Sequence, residues 1–420
     1  MNFKEILKRY KAGEATDEER QYIEQELEKY ESMEEYFSDD IPDQLFDEEK
    51  SDEVLESSED EAADIQKVVN RRLRKVVLTS VLIVILLYVV IFYGVSNLVD
   101  QFHYNPTATT EQQEGEAPIP DFYFDLQAYI SLNLPGYSIA SVPASASTGF
   151  GNYEISYAMR DLFENDQEIH FMNLSRGHLT LAYDGIFDIE NRVNHYPGFE
   201  KIHRPFPEEA TDDSLNLRDE IIQQENETTL EYLENLNEFS YVSMNISFEE
   251  DLTMDEFHQM RNTYPSLDFK WMGVRTAEPM TRWNEEQPMF LIGFNPNFNA
   301  EPDTMNRPDP EQYPYFDLTD VMKETSMTND QFTDAYAKHF TSRLSYLSEQ
   351  EEFIEIFDAN PQKLDFYKDS LDYVNEYGVE TYGGLVYGTA EELLEALDEI
   401  PYDTLHINEV SPTAPNIYNR

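Results

Sequence analysis

Apolar positions along the chain change pattern three times. From Phe3 to Phe37 they recur at helical spacing. Phe3, Ile6, Leu7 and Tyr10 fall at i, i+3, i+4 and i+7, and after Gly13 the positions Ile23, Leu27, Tyr30 and Phe37 line one face. Between the two stripes, Thr16-Asp17-Glu18-Glu19 is a capping box: the threonine hydroxyl accepts from the third amide, and Glu19 reaches back. From Val76 to Val99 polarity then disappears. The 24 residues VVLTSVLIVILLYVVIFYGVSNLV carry no charged side chain. As a helix they rise about 36 Å, enough to cross a hydrocarbon core of about 30 Å. A buried core helix is rarely apolar all round over such a length. A cleavable leader is excluded, because the run follows 75 mostly polar residues and has no small-residue cleavage site. The pattern therefore predicts a helical segment at 1–60, a juxtamembrane helix at 61–75 and a transmembrane helix at 76–99.

Beyond the span the pattern is that of a mixed fold. Residues 100–120, rich in Pro, Thr and Gln, read as a linker. A first unit is expected over 121–237. In it Asp125–Leu134 is a short helix, Pro135-Gly136 a turn, and Ile155–Leu162, Glu168–Leu174 and His178–Tyr183 alternate as strands do. A mostly helical stretch from Ser214 to Leu236 leads to a second unit over 238–411, with 412–420 as a tail. The second unit carries a weak internal repeat. Strand Tyr241–Phe248, capping box Thr253-Met254-Asp255-Glu256, a helix and strand Leu267–Val274 recur as Tyr382–Tyr387, Thr389-Ala390-Glu391-Glu392, a helix and Thr404–Val410. Longer helices lie between, one with the stripe Phe332, Tyr336, Phe340, Leu344 and Leu347. The fold class expected is α+β, with two βαβ-like units in one sheet.

Charge sets the direction of the span. Arg71, Arg72, Arg74 and Lys75 abut its N-terminal side, and after it no Lys or Arg occurs until Arg160. The excess of positive charge on one flank predicts a cytoplasmic N-terminus and an extracytoplasmic C-terminal region. Net charge is −56, which sets the whole field against nucleic acid and anionic lipid surfaces and toward partners with basic surfaces. Residues 1–75 hold 12 Lys/Arg against 24 Asp/Glu, with neither Cys nor His. Two short amphipathic helices without metal or disulfide bury little of their stripes on each other, so a partner that accepts them is expected.

Candidate chemistry does not assemble. Cys is absent, which excludes disulfides, thiolate nucleophiles and cysteine-based metal centres. Neither a G-x-S-x-G elbow, an H-E-x-x-H helix nor a glycine-rich phosphate loop occurs. His170 and His178 flank Ser175 without the spacing of a known triad. The stretch Asn295–Asp317 is rich in oxygen ligands but lacks the Gly and Glu placement of an EF-hand. No enzyme activity, cofactor or metal is expected.

Several longer phrases resemble a known family. FKEILKRYKAGEATDEERQYIEQELEKYESMEEYF is similar to the cytoplasmic N-terminus of membrane-bound anti-sigma factors of Bacillus-type bacteria, of the sigma-M regulator kind. PGYSIASVP…TGFGNYEISY, YVSMNISFEEDLTMDEFHQM, FKWMGVRT, LIGFNPNFN and KLDFYKDSLDYVNEYGVETYGGLVYG resemble the two halves of that family's external region. The resemblance implies that Phe3, Ile6, Leu7, Tyr10, Ile23, Leu27, Tyr30 and Phe37 hold an extracytoplasmic-function sigma factor at the membrane; another small membrane protein is left open as a further partner. An envelope signal would release the factor. A membrane-anchored cell-wall enzyme, or an envelope binding module whose tail only anchors, are the competing readings.

Overall fold

The computed structural model describes residues 10, 16, 20–23, 58–109, 118–181, 199, 206–207, 212–278, 282–283, 290–297, 308–323, 327–358 and 360–414. They fall into two compact units, Met1–Ile83 and Val84–Arg420. In the first, Tyr10 and Arg20–Ile23 are helical, and helix α1 (Ser58–Val89) begins. The apolar run extends α1 through a π-helical turn at Val90–Val95 into α2 (Ser96–Asp100).

After α2 the second unit continues with α3 (Asp121–Asn133). Every residue from Phe122 to Asn133 is buried, including Asp125, Gln127, Ser131 and Asn133. Two of its polar side chains reach partners remote in sequence. Asn133 donates to the Tyr367 hydroxyl at 2.8 Å, and the Tyr129 hydroxyl donates to Asp358 at 2.9 Å. After the Pro135-Gly136 turn comes a five-stranded antiparallel sheet: β1 (Tyr137–Ile139), β2 (Ala144–Gly149), β3 (Asn152–Asp161), β4 (Gln167–Ser175) and β5 (His178–Leu181). β3 is its centre, pairing with β1, β2 and β4. Alternation holds here: Tyr153, Ile155, Tyr157 and Met159 face the core, while Ile169 and Phe171 of β4 face out.

Next come β6 (Phe206–Pro207), α4 (Asp212–Glu234) and the larger sheet. In chain order this region runs through β7 (Tyr241–Thr253), α5 (Met254–Thr263), β8 (Asp268–Val274), β9 (Arg282–Trp283, paired with β6 in a separate two-stranded sheet), β10 (Gly293–Phe294), α6 (Asn329–Glu349), α7 (Glu351–Phe357), α8 (Lys363–Tyr377), β11 (Glu380–Thr389), α9 (Ala390–Leu397) and β12 (Tyr402–Ser411). The strand order is β10-β8-β11-β7-β12, antiparallel at every step. β7 and β8 therefore run parallel with β11 between them, and β11 and β12 run parallel with β7 between them. The two repeats expected from sequence are present, but interleaved as split βαβ units. Each opens its helix on the anticipated capping box. Glu256 N–H donates to Thr253 Oγ1 at 3.3 Å and Thr253 N–H to Glu256 at 2.9 Å, with the same pair of bonds at Thr389 and Glu392.

One core joins both sheets. Phe122, Ile130, Tyr153 and Met172 belong to the same apolar cluster as Met244, Phe257, Phe340, Phe353 and Leu393. α3, which sequence alone assigns to a unit over 121–237, packs against α6 and β10 from the stretch expected at 238–411. Interleaving demands close backbone approach at Gly383, where φ is +153° and an added Cβ would collide with the carbonyl of Ile246.

Candidate functional site

Among the described residues, one helix is long and apolar enough to cross a membrane, Lys67–Asp100, and it contains the run expected at 76–99. Arg71, Arg72, Arg74 and Lys75 sit on its N-terminal turns with exposed side chains. Of the eight stripe residues expected to bind a partner, Tyr10 is half-buried in a helical position and Ile23 is fully buried. Phe3, Ile6, Leu7, Leu27, Tyr30 and Phe37 lie outside the described residues.

The downstream end of the span is gripped by the β2–β3 hairpin. Its turn, Gly149-Phe150-Gly151, holds three consecutive positive φ angles of 92°, 57° and 75°. Two are glycines, which adopt that region without cost; Phe150 does not, and such a conformation costs roughly 1–2 kcal/mol in a non-glycine residue. The strained turn is fastened on both sides. Asn152 donates its side-chain amide to Gly149 O at 2.7 Å, and Arg176 N–H donates to Gly151 O at 2.7 Å. Thus shaped, the turn aims its amides at the helix. Phe150 N–H donates to Ser96 Oγ at 2.8 Å and Gly151 N–H to Asp100 Oδ1 at 2.6 Å. The Phe150 ring packs edge-on against Phe92 with centroids 6.4 Å apart. Phe92 lies in the π-helical turn, a distortion that recurs at functional sites in helices.

A second anchor follows directly. Within the segment expected as a linker, Tyr104 enters the core between Phe122, Phe353 and Phe357. Its hydroxyl donates to the Asp125 carboxylate, which also accepts from the Tyr346 hydroxyl at 2.8 Å. Burial pushes Asp125 up to about 7, against the two tyrosine hydrogen bonds, which favour the ionised form. Burial and the adjacent carboxylate raise both phenols.

The chemistry-bearing residues singled out from sequence have structural partners. His170 stacks on Tyr157 with centroids 5.2 Å apart, and the Ser175 hydroxyl donates to Asn152 Oδ1 at 2.6 Å. At the described ends of Asn295–Asp317, Asn295 Oδ1 accepts from Asn297 N–H at 3.0 Å and Asp317 Oδ1 from Thr319 N–H at 2.9 Å. No group of metal-ligating side chains forms among the described residues. The arrangement at the end of the span is mechanical: backbone amides and side-chain oxygens joining a helix to a folded body. Sequence reasoning missed it. Its signal was the Gly-Phe-Gly triplet between two alternating strands, a turn with an apolar tip.

Residues 233–405 match the family model for the sigma factor regulator C-terminal region. The match runs from the end of α4 into β12, covering the split βαβ sheet and the helices inserted between its halves. The chain matches no curated protein and no solved structure. Two fifths of the chain, on the C-terminal side of a helix able to span a membrane, is thus similar to the C-terminal region of sigma factor regulators.

Proposed function

We propose that the chain is a membrane-bound anti-sigma factor. The observation that carries this reading is the match of residues 233–405 to the sigma factor regulator C-terminal region, on a chain that also holds one membrane-span-capable helix. The Lys/Arg cluster at Arg71, Arg72, Arg74 and Lys75 supports a cytoplasmic N-terminus, with the region after Asp100 outside. The acidic, apolar-striped segment 1–60 then holds an extracytoplasmic-function sigma factor. Its stripe covers apolar faces used for polymerase, and its charge favours the factor's basic DNA-facing surface. The external domain senses an envelope signal, and the grip of the hairpin on Ser96 and Asp100 supports a rigid connection from that domain to the span.

The test is a sigma-dependent transcriptional reporter in the native host. Leu7→Asp with Leu27→Asp in the full chain raises reporter output while membrane insertion is retained. Unchanged output in a normally inserted double variant rejects the reading in favour of an envelope module whose tail only anchors.

A further inference from the structure

A groove of about 350 Å³ opens on the larger sheet where β7 runs past the start of β12. Its floor is apolar: Phe248, Leu252, Met260 and Ile400. Its rim is acidic: Glu249, Glu250, Glu256 and Glu399. Among the described residues, no Lys or Arg lines it. The nearby cations are committed elsewhere. Arg275 clamps Asp251 through two bonds of 2.6 and 2.8 Å, and Arg261 donates to Pro296 O, Asn297 and the Tyr336 hydroxyl. The carboxylates are fixed rather than diffuse at two points. Glu256 is held by its capping box, and Glu399 accepts the Tyr264 hydroxyl at 2.9 Å.

We infer that this groove docks a basic amphipathic peptide segment, an apolar side chain seated on Phe248, Leu252, Met260 and Ile400 with flanking Lys or Arg against the glutamates. The volume suits a few side chains and falls at the lower end of the range for ligand sites. Charge complementarity chooses the occupant. A second copy of the chain brings a net −56 of its own, and an anionic lipid surface is repelled likewise. An apolar floor without a charged rim would accept any hydrophobic segment; the acidic rim repels acidic segments and favours basic ones over neutral ones. The inference concerns the groove alone and stands whether or not the chain restrains a sigma factor.

The experiment uses the full chain in nanodiscs of zwitterionic phosphatidylcholine, with empty nanodiscs as blank. The probe is a fluorescein-labelled peptide alternating Lys and Leu, read by anisotropy in physiological salt. A peptide alternating Glu and Leu is the control. Saturable binding of the Lys peptide only is expected. Glu250→Lys with Glu399→Lys weakens it by about 10-fold, whereas the same charge change on α4, Glu220→Lys with Glu231→Lys, alters it by less than about 2-fold. Met260→Gln, which leaves charge untouched, also weakens binding. Equal weakening by the two charge variants would reduce the effect to the general acidic field and overturn the site, as would unsaturable binding or indifference to Met260→Gln.

Discussion

Ser96 Oγ accepts the backbone N–H of Phe150 across 54 residues of chain, at 2.8 Å. Four residues later Asp100 accepts from Gly151 in the same way. A serine and an aspartate on an apolar helix thus each accept a backbone amide from a folded body. Removing one acceptor leaves an amide without its partner, at roughly 1 kcal/mol. Ser96→Ala in the full chain should speed hydrogen exchange at Phe150 by about 5-fold while the amides of β7 and β11 are unaffected. Gly151→Val should act more strongly, since φ is +75° there and an added Cβ meets His103 at 3.1 Å and Arg176 at 3.3 Å. Unaltered exchange at the turn in both variants would show that the grip is not held in the membrane.

Asp125 makes stability pH-dependent. Its folded value is about 7 against an ordinary value of 3.8, so between those limits the folded chain binds the extra proton. The contribution is fully present below about pH 4 and is lost as pH rises through 7. A rise of three units corresponds to about 4 kcal/mol as an upper figure. Asp125→Asn should therefore flatten the decline in thermal midpoint between pH 4 and pH 7. A variant that declines as steeply as the parent would place the titration elsewhere.

Lys363 is the opposite case. It is 2% exposed, its ammonium sits 4.4 Å from the centre of the Phe290 ring, and burial pushes it down to about 8. A depressed lysine favours the folded state above its unfolded value of 10.5 and opposes it as pH falls through 8. At pH 7 the buried ammonium is a cost, offset in part by the surrounding rings. Lys363→Met should raise stability at pH 7 by about 1–2 kcal/mol, and the gain should vanish above about pH 10. A loss at pH 7 would mean that the aromatic cage outweighs desolvation.

Asn226 closes an edge. Its side chain donates to Asp403 O at 2.8 Å and accepts from Leu405 N–H at 2.9 Å, so α4 satisfies one carbonyl and one amide on the outer edge of β12. Without that cover β12 is an exposed edge strand, a template for association. Asn226→Ala should cost about 2 kcal/mol, accelerate exchange at Leu405 and promote self-association, visible by sedimentation. Asn226-Glu227-Thr228 also fits the N-glycosylation acceptor pattern, and a glycan on that side-chain nitrogen would break the contact.

Local signals were legible and pairings were not. The charge-free run, the capping boxes at Thr253 and Thr389, and the alternation of β3 and β4 each depend on neighbours a few residues apart. α3 shows the limit. It is buried on every side, so its sequence has no amphipathic stripe, and its start was placed at Asp125 rather than Asp121. Its buried polar groups make sense only with Tyr104, Tyr346, Asp358 and Tyr367 in place, none of them adjacent in sequence. The insertion of β11 between β7 and β8 is likewise a contact across more than 100 residues, invisible to periodicity. The hairpin grip escaped for the same reason, since its bonds run from backbone amides whose direction depends on three left-handed angles.

The grip also has a rotational meaning. Ser96 and Asp100 stand one helical turn apart and so face the same way. A helix fastened at one point swivels, whereas a helix fastened at two points on one face is keyed, like a shaft in a slot. Two bonds on one face hold α2 against rotation relative to the hairpin, which a single bond would not do.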